Sequence, residues 1–364
     1  MSARSERSEP RTSIGAASWQ DPLKSAMLNS YMKQVFLDKL PFVLAILLYL
    51  LIYFLRLQQG GWEIQTELFS GLRDDLDHRI SIILPSPQAE LLSGILLGNK
   101  KDLPPQLKLA LRDTSTLHIV VVSGQNLTMI AGLFLPLAWL ISRKFAIFLS
   151  FTAIIFYTIL TGAQVPVLRA ALMASASFLA VLLGRQKDGV WVLLISVGFM
   201  LLVNPKWISD LSFQLSFLAT AGVVLLAPII LKKLETWPKF IAADLAVTTS
   251  AQLMVTPIIA QSFHQFSIVS VFANLLVGWT VPIIMILGSV MLVFSFLNNE
   301  LVLLIGILVN ALLSYFVYIV QFFASLPFAW EYVGEKSFVF WVGYYFILTG
   351  VMLVLNNGKN STRE

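Results

Sequence analysis

The polar and apolar positions along the chain fall into long uniform blocks. A first apolar run covers about 41–57, and others follow at about 117–141, 145–162, 166–184, 189–204, 208–231, 239–261, 267–297, 300–326 and 337–355. Runs near 20 residues match the thickness of a hydrocarbon core crossed by a helix. The pattern therefore predicts an all-α polytopic bundle of about ten transmembrane spans. Two runs predict broken or re-entrant helices. The 117–141 run holds Ser-Gly-Gln-Asn in its apolar body, and the overlong 267–297 run holds Asn274, Gly278 and Pro282. Backbone freed by such breaks must be covered by protein or by water at membrane depth.

Between the first two runs lies a polar stretch, 58–116, with two short apolar pieces, Gln88–Gly98 and Pro104–Asp113. In the second piece Leu103, Leu107, Ala110 and Leu111 share a helical face, with Lys108 and Arg112 off it. This predicts amphipathic helices lying in the membrane interface. The expected organisation is a 1–40 N-terminal segment, a first span at 41–57, an extracytoplasmic 58–116 segment, a transmembrane domain at 117–356 and a 357–364 tail. Basic residues gather at Lys24/Lys33/Lys39, Arg143/Lys144, Arg185/Lys187, Lys232/Lys233/Lys239 and Lys359/Arg363. By the positive-inside bias these mark the cytoplasmic side, with both termini on it. Asn298–Glu300 should share that side although it carries no positive charge.

Composition agrees with lipid as the solvent: 57% of residues are hydrophobic and 12% charged, against about 25% charged in soluble domains. The polar, mixed-charge start has no signal-peptide pattern, so the first run is expected to stay as an anchor in the cell membrane. There is no cysteine, which removes disulfides, thiolate metal sites and cysteine nucleophiles. His78, His118 and His264 are scattered, without HxH or HExxH spacing, and no GxxxxGK[ST] motif occurs. No metal, cofactor or enzymatic activity is expected. A serine intramembrane protease is disfavoured, because five residues separate His118 from Ser123 and turn the two apart on a helix.

Polar groups inside spans cost free energy, about 2.5–3.5 kcal/mol for a charge at the helix centre, and need a reason. Five places have them. Ser123, Gly124, Gln125 and Asn126 sit together in one turn, with His118 near the outer end. They read either as a broken helix lining an aqueous path or as close helix packing. Arg169 follows Pro166 at a helix start, reaching either headgroups or an anion at a pore entrance. Asp210 and Gln214 share one face of the 208–231 run, while Ser209, Ser212 and Ser216 lie on another. Gln252, in the Asp244–Pro257 segment, and Asn274 complete the set. Amides in spans usually bond across helices.

The strings ELLSGILLGNKKDL (from Glu90), LRDTSTLHIVVVSGQNL, VLRAALM, NPKWISDLSFQLSFLATAG, AQLMVTP and FSIVSVFANLL, in this order, resemble the competence domain of ComEC-type DNA-uptake channels, over roughly Leu84 to Leu355. The resemblance implies passage of single-stranded DNA across the cytoplasmic membrane during natural transformation. Carried over by position, the motif residues fall on Glu90, Gly98, His118, Ser123, Gly124, Arg169, Asp210, Gln214, Ser216, Gln252 and Asn274. Gln125 and Asn126 replace the leucine and histidine that often follow the family's serine-glycine. Many members carry an outside OB-like domain, for which 58–116 is short, and a terminal nuclease, whose histidines are missing before Glu364. The expectation is a channel subunit without nuclease, its path lined by the motif residues from His118 to Asn274 with Gln125 and Asn126. Implied partners are single-stranded DNA, the bilayer, a cytoplasmic helicase, a separate nuclease and pilus-type DNA receptors, with an oligomer allowed. A permease for a small solute or lipid precursor is the alternative, and a membrane scaffold a third class.

Overall fold

The structure is a computed structural model. It describes residues 22–60, 67–99, 103–120, 124–134, 139, 142–182, 188–297 and 299–357. The chain divides into two units, Met1–Gln58 and Gln59–Glu364.

The described residues of the first unit lie on one helix, α1 (Pro22–Gln59). The helix starts well before the first apolar run and continues through Pro41. Proline suits its first turn, and the polar 22–40 stretch has few strong helix breakers. From Val43 to Leu57 the large apolar side chains are exposed on every side, Phe54 at 62% and Leu48 at 58%. A helix apolar all round is stable only with hydrocarbon around it.

The second unit begins with α2 (Ser70–Ile83), α3 (Gln88–Leu97), α4 (Pro105–Asp113) and the single turn α5 (Leu117–Val120). Then come α6 (Gly124–Phe134), α7 (Arg143–Leu160), α8 (Val165–Leu182) and α9 (Gly189–Val203), and a 3-10 turn over Pro205–Ser209. Next are α10 (Leu211–Leu225), α11 (Ala227–Lys233) and α12 (Lys239–Phe263), followed by the strand β1 (Gln265–Ser267). The chain continues through α13 (Ser270–Gly278), α14 (Thr280–Phe294), α15 (Asn299–Ala324), β2 (Trp330–Tyr332) and α16 (Phe338–Asn357). β1 and β2 pair antiparallel, Phe266 opposite Glu331. This short ribbon is the only departure from an all-α fold among the described residues.

Three helical stretches are long and apolar enough to cross a membrane alone: Lys39–Gln59, Lys239–Phe263 and Glu300–Ala324. Two bent pairs, α10 with α11 (44°) and α13 with α14 (41°), raise the number to five if each pair is one span. The other apolar helices offer stretches of 10–17 residues, at or below the short end of a single crossing. The α13–α14 break falls at Trp279, between Gly278 and the Pro282 of the next first turn, inside the expected broken run. The α10–α11 break was not expected. Pro228, in the first turn of α11, cannot donate the backbone bond that would continue α10.

The core is built around α3. Leu91, Leu92, Ile95, Leu96 and Leu97 are all buried, packed with residues of α2, α4, α7, α14 and α15. Gly288 of α14 admits Leu92 and Leu96: a Cβ there would stand 2.9 Å from Leu92 Cδ1. Small residues of this kind let membrane helices approach closely. The carbonyls at the α3 C-terminus lack helical partners, and neighbours supply them. Asn126 Nδ2 donates to Ile95 O at 3.0 Å and Tyr157 Oη to the same oxygen at 3.5 Å. Gln164 Nε2 donates to Gly98 O at 3.1 Å. Leu103, just before α4, and Leu107, Ala110 and Leu111 on it belong to this protein core.

Loop charge expected the connections after α7 and after α14 on opposite faces. In the structure the two helix ends lie side by side. Tyr157 and Leu160 of α7 share one apolar crevice of about 470 Å³ with Leu292 and Val293 of α14 and with Phe296 just after it. Arg79 of α2 donates to Ser295 O at 3.0 Å and lies 3.8 Å from the centre of the Phe296 ring. The two helix ends are neighbours because helix packing, which loop charge does not sense, sets their positions.

Candidate functional site

A cavity of about 2150 Å³ opens between α4–α8, α10, α12 and α13. Its polar lining comes from many elements: Lys108, Arg112, His118, Thr128, Ser150, Arg169, Ser177, Ser212, Ser216, Thr220, Asp244, Thr248, Gln252, Gln265 and Asn274. Five aromatic rings also face it: Trp139, Phe151, Phe178, Phe240 and Phe263. Phe151 of α7 and Phe178 of α8 stack with centroids 6.0 Å apart.

Arg169 stands in this wall on α8. Its Nη1 donates to Thr220 Oγ1 of α10, and Thr220 Oγ1 donates in turn to Ser216 O at 3.0 Å. Arg169 Nε is buried without an acceptor, and no carboxylate pairs with the guanidinium among the described residues. Gly124, at the start of α6, gives the guanidinium room. A Cβ there would lie 3.6 Å from Arg169 Nη2 and 3.0 Å from the Ala170 Cβ. A cation removed from water without a counter-charge is costly, and an incoming anion would supply that charge.

On α10, Ser212, Ser216 and Thr220 recur every fourth residue and so form one helical stripe facing the cavity. Asp244, on α12, is the single carboxylate in the lining among the described residues. Its oxygens lie within 3.9 Å of where a Cβ on Gly278 would be. One turn before Gly278, Asn274 is 6% exposed and its Oδ1 has no partner. No group of three or more metal-ligating side chains occurs among the described residues.

A family model described as "Competence protein" matches residues 95–358. The chain belongs to this family. Among curated relatives, ComE operon protein 3 of Bacillus subtilis (strain 168) is 30% identical over 208 residues, which are 57% of this chain and 26% of the relative. An uncharacterized protein YcaI of Escherichia coli (strain K12) is 29% identical over 213 residues, 53% of this chain and 27% of that one. An uncharacterized protein of Aquifex aeolicus (strain VF5) is 30% identical over 128 residues, 35% of this chain and 30% of that one. The matched region is thus about a quarter to a third of each relative's length. No solved structure matches. Every residue lining the cavity falls inside the region that the family model covers.

Of the residues expected to line a path, the cavity gathers His118, Gly124, Arg169, Ser216, Gln252 and Asn274. Three others stand outside its lining. Asp210 caps α10, its Oδ1 accepting from Phe213 N at 2.8 Å. Gln214 Nε2 donates to Ile208 O at 2.9 Å, tying α10 to the 3-10 turn before it. Of the two polar faces on this helix, the hydroxyl face meets the cavity and the Asp210/Gln214 face serves a helix cap. Asn126 is buried against α3. Ser123 lies outside the described residues, as does the side chain of Gln125. Of the remaining motif positions, Glu90 sits on α3 with its Oε2 buried and unpartnered, and Gly98 ends that helix in a left-handed turn. Lys108, Arg112, Thr220 and Asp244 were not expected in the site. The signals for them were present: a charged pair one turn apart on α4, a hydroxyl one turn beyond Ser216, and a lone carboxylate in an apolar run.

Proposed function

We propose that this chain forms the membrane path by which single-stranded DNA enters the cytoplasm during natural transformation. The cavity carries the reading. It joins cations and stacking surfaces, the two features that carriers of single strands combine. Lys108, Arg112 and Arg169 outnumber the single carboxylate Asp244, and five rings face the same space. Membership of the competence family supports the role in DNA uptake. In this reading the apolar helical runs, about ten by the sequence pattern, are embedded in the cytoplasmic membrane, and Lys24, Lys33 and Lys39 before the first of them hold the N-terminus in the cytoplasm. The chain conducts the strand and does not cut it. A nuclease, a cytoplasmic helicase that pulls the strand and pilus-type receptors that deliver it are separate activities in this scheme.

The test is entry of labelled single-stranded DNA into the cytoplasm of a strain lacking the chain and complemented with variants. Arg169→Ala removes a charge-assisted contact of about 1.5–3 kcal/mol, so uptake falls by about 10–100-fold while membrane insertion stays normal. Normal uptake by that variant would defeat the proposal. The apolar lining between the polar groups, such as Leu215, Val247 and Val255, also suits the chain of a lipid precursor. Unchanged DNA uptake in the deletion strain, together with altered lipid composition, would favour that second reading.

A further inference from the structure

α4 divides its two faces between two neighbours. Leu107 and Leu111 point into the core around α3, while Lys108 and Arg112, one turn apart, line the cavity. Both basic side chains are exposed there. Lys108 makes no ion pair among the described residues, and Arg112 pairs only with its neighbour Asp113, Nε to Oδ1 at 3.3 Å. Exposed pairs of that kind hold weakly. The apolar face anchors the helix, so the two cations are held at a fixed spacing on a rigid wall. An amphipathic helix resting on a membrane surface would instead turn its apolar face to lipid.

We infer that the basic face of α4 is a phosphate-binding wall of the cavity, in which Lys108 and Arg112 each neutralise a phosphate of the single strand that Arg169 meets elsewhere in the same space. The inference rests on the DNA reading above and deepens it by naming which groups collect the backbone. The order of roles follows from burial. Exposed Lys108 and Arg112 exchange partners with water at little cost. Arg169, more deeply set and held by Thr220, is a fixed station.

The full chain in lipid nanodiscs, titrated with a labelled single-stranded oligonucleotide at several salt concentrations, tests this. Each neutralised phosphate contributes about −0.7 to the slope of log affinity against log salt for single strands. The double variant Lys108→Gln/Arg112→Gln should therefore bind with a slope shallower by about 1.4. The charge-keeping Lys108→Arg/Arg112→Lys should retain the parent slope, and Asp113→Asn, which releases Arg112, should bind more tightly. An unchanged slope in the Gln variant, with DNA still bound, overturns the inference. A parallel titration with inorganic polyphosphate separates it from the reading on which it rests. Polyphosphate binding that responds to the Gln variant, without any DNA binding, keeps the wall and removes DNA as cargo. Absence of binding to either polyanion defeats both.

Discussion

Two arginines in the second unit mark two different regions. Arg79 of α2 is fully occupied. It pairs with Asp75 at 3.0 Å, donates to Ser295 O and lies over the Phe296 ring. Arg169 has a hydroxyl for company and a buried Nε with nothing to donate to. The amides repeat the contrast. Asn126 closes a bond to the end of α3, whereas Asn274, equally buried, has an unpartnered oxygen beside the cavity. A polar group in an apolar setting costs free energy unless its bonds are made. In the region around α3 the amide donors that cap the helix serve cohesion, although Gln88 Oε1, Glu90 Oε2 and Gln164 Oε1 are buried there without partners too. In the cavity region Arg169 and Asn274 keep unmade bonds, and the proposed DNA path draws on them.

The comparison breaks most sharply at Gly124. Gly124→Val crowds the Ala170 Cβ, 3.0 Å from a Cβ there, and brings its branch methyls against Arg169 Nη2, 3.6 Å from that Cβ, so DNA uptake should fall toward that of Arg169→Ala, on the order of 10-fold; uptake within twofold of the parent would mean that the guanidinium is not positioned by this contact. Asn126→Leu should show the opposite profile. It leaves Ile95 O without its amide donor and lowers stability by about 1–3 kcal/mol, read as a lower unfolding midpoint in detergent, with uptake per folded molecule unchanged. A loss of uptake at parental stability would move Asn126 into the path. Gln214→Leu should cost less, about 0.5–1.5 kcal/mol for one bond to Ile208 O, and leave uptake intact. Failure of transformation in that variant would restore the Asp210/Gln214 face as part of the passage. The mildest changes use the absence of native cysteine. Val165→Cys and Leu297→Cys should both leave uptake unaltered and react with a membrane-impermeant thiol reagent from the same side of sealed vesicles. Labelling from opposite sides would contradict the shared crevice at the ends of α7 and α14.

Part of the site was readable before any folding. Arg169 and Gly124 stand out as a charge and a glycine inside apolar runs, and Gln252 and Asn274 as amides where amides are costly. Lys108 and Arg112 were visible as the polar face of α4, but the neighbour that each face would meet was not. On α10 two polar faces competed, and periodicity alone ranked them equally. Only the position of α12 and α8 beside the hydroxyl face, and of the 3-10 turn beside the other, separates cavity lining from cap. Loop charge is silent on a related point: it reports bias at helix ends and carries no information about which ends touch.

The chain by itself determined its solvent and its class. Too little charge and too many long apolar runs leave helices in lipid as the outcome, because each helix satisfies its own backbone and hydrocarbon offers no other donor or acceptor. Tertiary structure decided which polar side chains are spent on one another and which remain open. That choice depends on a few ångströms between helices far apart in sequence, a distance that no local pattern encodes.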